Sequence, residues 1–227
     1  MRARAFGAIF GALVLAAGFA AADPWTDPAG RFTLDVPHGW RVEVEPQSTV
    51  SYVRISKGDR ECQFVATPAP ASAAQNAGAA LSALKDDTQF TQVWWTTLAN
   101  TMTPIFANNS AQFVSRSADA SGFWPVQRAE FASPGPIGSP PVPVSAVHAG
   151  FTWRPGMQIK GFCYTVSDPD YPTADNPALF GPVLDSMGTP QDAQYRTDAE
   201  AYAAQQQAQQ AAAQAAQQQQ PQPHPHH

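Results

Sequence analysis

Arg31-Phe32-Thr33-Leu34-Asp35-Val36-Pro37-His38-Gly39-Trp40-Arg41-Val42-Glu43-Val44-Glu45 decides the class of this chain. Phe32, Leu34 and Val36 alternate with Arg31, Thr33 and Asp35; beyond Pro37-His38-Gly39, Trp40, Val42 and Val44 alternate with Arg41, Glu43 and Glu45. Period two is the repeat of a half-buried strand, and two such runs around a Pro-x-Gly break predict a β-hairpin. The same pattern extends outward. Ser51–Ser56 and Glu61–Ala66 form a second pair around the turn-forming Lys57-Gly58-Asp59-Arg60, with Cys62 on the face of Phe64 and Ala66.

Between Ala71 and Met102 the period changes. The Ala-rich residues 73–86 predict one helix. After Thr88, which reads as an N-cap, Phe90, Trp94, Leu98 and Met102 recur every four residues beside Val93, predicting a second helix stopped at Pro104. Trp95 points about 100° away from Trp94 on such a helix. It is expected to be partly exposed, where it could stack on a sugar, peptide or partner surface or take a second core contact. Strands follow at about 111–117, 123–132, 142–153 and 157–167, with Trp124 and Trp153 read as core. A closing helix is marked by Asn176 as cap, Pro177 in the first turn, the stripe Leu179, Phe180, Val183, Leu184 and Met187, and the stop Gly188-x-Pro190. Beyond it the composition falls to alanine and glutamine. Residues 192–216 can be helical in part, but without an apolar stripe the expectation for 191–227 is a solvated, mostly disordered tail.

At the other end, Arg2 and Arg4 precede an apolar run from Ala5 to Phe19 closed by Ala20-Ala21-Ala22. This is the pattern of an export signal spanning 1–22, cleaved before Asp23; a retained N-terminal anchor is the alternative. The run is too short and too glycine-rich for a membrane span, and no later segment is apolar enough for one. The division is therefore a signal (1–22), a folded domain (23–190) and a tail (191–227), in the periplasm or secreted. Without residues 1–22 the 13 basic side chains fall to 11 against 18 acidic ones, a formal charge of −7. That surface repels phosphate backbones and argues against nucleic-acid binding. In an exported chain the only two cysteines, Cys62 and Cys163, read as one disulfide, with two buried free thiols as the alternative. Such a bond would tie the early strands to the late ones across the inserted helices.

The run Phe32-x-Leu34-x-Val36-Pro37-x-Gly39-Trp40, the second hairpin, the helical insertion, the later antiparallel strands and the closing Phe180-x-x-Val183-Leu184-x-Ser186-Met187 resemble the Mog1/PsbP-like superfamily over roughly Phe32 to Gly188. The resemblance implies an α+β fold. Its form would be an α/β/α sandwich with a mainly antiparallel sheet, helices inserted between strands 4 and 5, and a closing C-terminal helix. It also implies an accessory or binding domain rather than an enzyme, since the superfamily shares no active site to carry over.

Chemistry-bearing residues are few. His38 lies in the hairpin turn, and His148 shares a strand face with Val144, Ala146 and Gly150. A satisfied half-buried histidine and a binding or general-base role are both readings of His148. Metalloprotease, nucleophile-elbow and phosphate-loop motifs are missing. Asp168, Asp170, Asp175 and Asn176 gather oxygen ligands suited to calcium, though proline-punctuated Asp168-Pro169-Asp170-Tyr171-Pro172 reads equally as a turn before a cap. His224, His226 and His227 end the chain and could chelate zinc, nickel or copper. No cofactor is expected. The first expectation is a non-enzymatic exported domain binding a protein or envelope component through sheet edge, loops or tail; a small hydrolase built around His148 or His38 and a metal binder working through the C-terminal histidines are the others.

Overall fold

The computed structural model describes residues 22–46, 50–70, 75–101, 106, 111–132, 144–166 and 177–218. All but Ala22 of the expected export signal (1–22), the oxygen ligands Asp168, Asp170, Asp175 and Asn176, the expected helix stop at Met102 and Pro104, and the terminal His224, His226 and His227 lie outside the described residues. Among the described residues nine strands and four helices follow in chain order: β1 (Ala22–Thr26), β2 (Thr33–Pro37), β3 (Arg41–Pro46), β4 (Ser51–Lys57), β5 (Arg60–Pro68), α1 (Ala77–Lys85), α2 (Gln92–Asn100), β6 (Gln112–Asp119), β7 (Val126–Ala132), β8 (Val144–Arg154), β9 (Met157–Val166), α3 (Pro177–Asp185) and α4 (Asp192–Gln218).

Seven of the strands make one antiparallel sheet in the order β3-β4-β5-β9-β8-β7-β6. Alternation along the strands gives this sheet two apolar faces. Phe131, Val147, Ala149, Phe151, Trp153, Phe162 and Tyr164 form a core with α1, α2 and α4. Val53, Ile55, Cys62, Phe64, Ile159 and Cys163 form the other with α3 and with Phe32, Leu34 and Val36 of the β1–β2 ribbon. The architecture is an α/β/α sandwich of the α+β class, with the helical insertion between β5 and β6.

The period-two reading of 31–45 is right about strands and wrong about pairing. Pro37-His38-Gly39 does turn the chain: the Trp40 N–H donates to the Pro37 carbonyl at 3.0 Å, and Gly39 takes φ 78°. The two strands nevertheless part company. β2 pairs with β1, Trp25 opposite Leu34, whereas β3 pairs with β4, Val44 opposite Val53. Phe32 and Leu34 can then bury themselves beneath the large sheet, with the Trp25 ring edge-on to Phe32 at 5.6 Å.

α3 packs so closely that side chains are excluded beneath it. A Cβ on Gly150 would lie 2.8 Å from Met187 Cε, and one on Gly161 would lie 2.6 Å from Phe64 Cε1 and 2.9 Å from Leu184 Cδ2. Cys62 and Cys163 stand directly opposite each other on β5 and β9 and are joined, S–S 2.06 Å, across 101 residues of sequence. The disulfide expected from cysteine count and compartment is present, at the one pairing that joins early strands to late ones.

The tail expectation is corrected over residues 192–218, which form the single helix α4. Its first turns belong to the folded body. Ala199 is buried, and Tyr195 packs on the core formed with α1. Asp192 anchors it: its carboxylate accepts from Thr189 N at 3.1 Å and Thr189 Oγ1 at 2.6 Å, and takes both Nε (2.8 Å) and Nη2 (2.9 Å) of buried Arg154. Arg154 also donates to Thr152 Oγ1 at 2.6 Å and covers the Trp124 ring at 4.6 Å. Thr189-Pro190-Gln191-Asp192 is thus a hydrogen-bonded turn that leads into the helix, with the Asp192 N–H donating to the Thr189 carbonyl at 3.1 Å. Past Tyr202 nearly every residue of α4 is exposed, as the alanine and glutamine composition requires. Among the described residues no helix is long and apolar enough to cross a membrane.

Candidate functional site

The two side chains singled out for binding part ways. Trp95 is fully buried, not exposed, because α2 starts three residues later than Thr88 suggests. Thr91 is the cap, accepting from Trp94 N at 3.2 Å, whereas Thr88 spends its hydroxyl on Asp86 Oδ1 at 2.6 Å. Phe90 therefore lies outside the helix, and counting by fours from it rotates the stripe by one residue. Trp95 and Ala99 face the core, Trp94 flanks them with its ring 4.8 Å from Phe151, and Val93 is 75% exposed. Trp124 and Trp153 are buried, as expected.

His148 is half-buried on the α3 side of the sheet, its ring centroid 5.6 Å from that of Phe180. There it lines a cleft of about 130 Å³ with Ser115 and Ser117 of β6, Arg128 and Glu130 of β7, and Gly181 of α3. Antiparallel register orders these groups. Ser115 is opposite Glu130, and Glu130 is opposite His148. A serine hydrolase needs its histidine between nucleophile and acid. Here the acid sits in the middle, and Ser115 is two strands from His148, about 10 Å at the usual spacing. The row does not assemble a nucleophile–base pair. His38, in the β2–β3 turn, is exposed and meets Asp23 Oδ2 at 3.3 Å through Nδ1, also at the surface. Among the described residues no three His, Cys, Asp or Glu side chains stand close enough to hold a metal ion.

The cleft borders an open edge. Among the described residues nothing is paired with the outer side of β6, the last strand of the sheet, and its Ser115–Ala118 are exposed. A register irregularity between Phe113 and Ser115 interrupts its start, where Val114 is 54% exposed; from Ser115 to Asp119 the pairing with β7 is regular. On the other side of the sheet Arg116 Nη1 donates to the carbonyls of Asp87 (2.8 Å) and Phe90 (3.0 Å), bracing the strand against the α1–α2 connection. Within the cleft Arg128 is held by Asp185, with Nε to Oδ1 at 2.7 Å, and by Asp119 at 3.9 Å. Burial draws its basicity down and Asp119 partly restores it. Arg128 is thus matched by carboxylates, and Glu130 is the acidic side chain among the residues lining the cleft.

A second polar group, which sequence reading missed, lies on β4, β5 and β9 at the other end of the sheet. Tyr52 donates to Gln63 Oε1 at 2.6 Å, Gln63 Nε2 to Glu61 Oε1 at 2.8 Å, and Tyr164 to the same Glu61 oxygen at 2.6 Å. Burial, with repulsion from Glu61 and Glu45, pushes the Tyr52 phenol up to about 12; burial and the hydrogen bond to Glu61 raise Tyr164 as well. These hydroxyls are locked as donors, and the group holds the strands in register. The alternation of Tyr52 with buried Val53 was the available signal.

The chain is similar to cyanobacterial PsbP from Synechocystis sp. PCC 6803, at 16% identity and TM-score 0.46, over 81% of this chain and 98% of that one. It is also similar to a protein from Bacteroides thetaiotaomicron VPI-5482, at 11% identity and TM-score 0.40, over 74% of this chain and 48% of that one. No family model and no curated protein matches the chain.

Proposed function

We propose that this chain is an exported, non-enzymatic binding domain that captures an extended segment of another envelope protein on the edge of β6. The observation that carries the reading is the regularly paired β6 edge, exposed from Ser115 to Ala118, beside the His148 cleft. A strand added there gains main-chain hydrogen bonds along the edge, and every second side chain of the guest projects over the α3 face, where the cleft can select it. With Glu130 as its acidic group, a Lys or Arg at that position of the guest fits best. The signal-like N-terminus and the Cys62–Cys163 bond support work in an oxidising compartment outside the cytoplasm.

Successive N–H groups on a strand point to opposite sides, so of Ser117→Pro and Ala118→Pro one removes a bond to β7 and the other blocks only the outer edge. Tagged wild type and both variants would be used to capture partners from envelope extract at near-native levels. The expected result is a specific partner that the edge-blocking variant loses while keeping the wild-type melting temperature. No specific partner, or equal capture by all three proteins, defeats the reading.

A further inference from the structure

On the opposite face of the sheet, α4 crosses the start of α1 and borders an open groove of about 570 Å³, within the usual volume range of ligand pockets. Tyr195, Asp198, Tyr202 and Gln205 line it from α4, and Gln75 and Asn76 from the approach to α1. The α4 residues are spaced by three, four and three, which places them on one helical face. Tyr202 is seated rather than loose. A Cβ on Gly78 would lie 2.2 Å from its Cδ1, so the ring rests on the α1 backbone, yet the residue stays 37% exposed. Asn76 is likewise fixed, its Oδ1 accepting from Ala79 N at 2.9 Å with the amide nitrogen left over. Asp198 accepts from Gln194 Nε2 at 2.8 Å through one oxygen, Oδ1.

This lining restricts the ligand. It contains no Arg, Lys or His, so an anion has no counter-charge. Its aliphatic members are only alanine and proline, too small a surface for an acyl chain. What remains are three carboxamides that can donate and accept at once, one carboxylate, and two tyrosine rings. Amides and a carboxylate match neighbouring hydroxyl groups, and a fixed aromatic ring matches the C–H face of a pyranose. Three neutral amides against a single, already engaged carboxylate favour hydroxyls over a cation. We infer that the α1–α4 groove is a saccharide-binding site for a neutral oligosaccharide.

Calorimetric titration of the whole exported chain with maltohexaose and with chitohexaose tests this, choline serving as the cationic rival. The expected result is binding of one oligosaccharide with Kd below about 1 mM, weakened about tenfold by Tyr202→Ala and retained by Tyr202→Phe. Asp198→Ala, which leaves the aromatic packing intact, should weaken it severalfold at an unchanged melting temperature. No heat from either sugar, affinity indifferent to Asp198→Ala and Tyr202→Ala, or choline bound in preference to both sugars would overturn the inference. The peptide reading of the β6 edge stands or falls separately, since that site is on the other face.

Discussion

Replacing Cys62 and Cys163 together by alanine opens the only covalent cross-link among the described residues. The bond spans 101 residues, and the chain-entropy account of a loop that long gives about 4.7 kcal/mol. Both sulfurs are at zero exposure within the core under α3, so the two alanines also leave a small void worth roughly 1 kcal/mol. The total, about 5 to 6 kcal/mol, converts to a fall in melting temperature of roughly 10 to 20 °C for a domain of this size. Circular dichroism melts and urea titrations of wild type and double variant, run side by side in oxidising buffer, measure it. Single variants are unsuitable because each leaves a stray thiol. A loss under about 1.5 kcal/mol, or thiols that react in the unfolded wild type without prior reduction, would refute the argument that the cross-link constrains the unfolded chain.

Gly161→Ala drives a methyl into Phe64 and Leu184, and urea titration should show a loss of roughly 1 to 3 kcal/mol. Asp192→Ala strips the carboxylate from Arg154, which is 2% exposed, and should cost roughly 3 to 5 kcal/mol by the same measurement; a change within error would mean that the first turn of α4 is not anchored there. Tyr52, raised to about 12, keeps its proton in the folded state where the unfolded chain loses it. Its contribution is therefore complete below about pH 10 and lost as the pH climbs toward 12. Ultraviolet titration should show tyrosine ionisation lagging until the melting temperature falls, and all tyrosines titrating near 10 in folded protein would contradict it.

Much of the sheet was legible because its strands alternate and its turns carry glycine: Lys57-Gly58-Asp59-Arg60 and Arg154-Pro155-Gly156 reverse the chain where expected. The β2–β3 error arose because alternation reports burial on one face and carries no information about which strand lies alongside. Trp95 was misplaced because a helix stripe has meaning only from the true cap, and Thr88 and Thr91 are chemically equivalent candidates. α4 was underread for a different reason. It is anchored by the Thr189–Asp192 contacts and the ion pair to Arg154, and its packed face is only Tyr195, Ala199 and Tyr202, too sparse among alanine and glutamine to read as an apolar stripe. The β6 cleft was half legible: His148 was found, but Glu130 comes beside it, and Ser115 beside Glu130, only through register.

The strand order holds a consequence for how the molecule is made. β3, β4 and β5 are neighbours in sequence and in space, and so are β6, β7, β8 and β9; only β5 against β9 unites the two sets. Each half can zip up locally, whereas the junction must wait for a long-range closure, 101 residues from Cys62 to Cys163, which is the slow kind of step. During synthesis the first half would carry β5 as a bare, apolar border until β9 arrives. The Cys62–Cys163 bond lies at the last pairing to close, so its formation fixes that pairing behind itself.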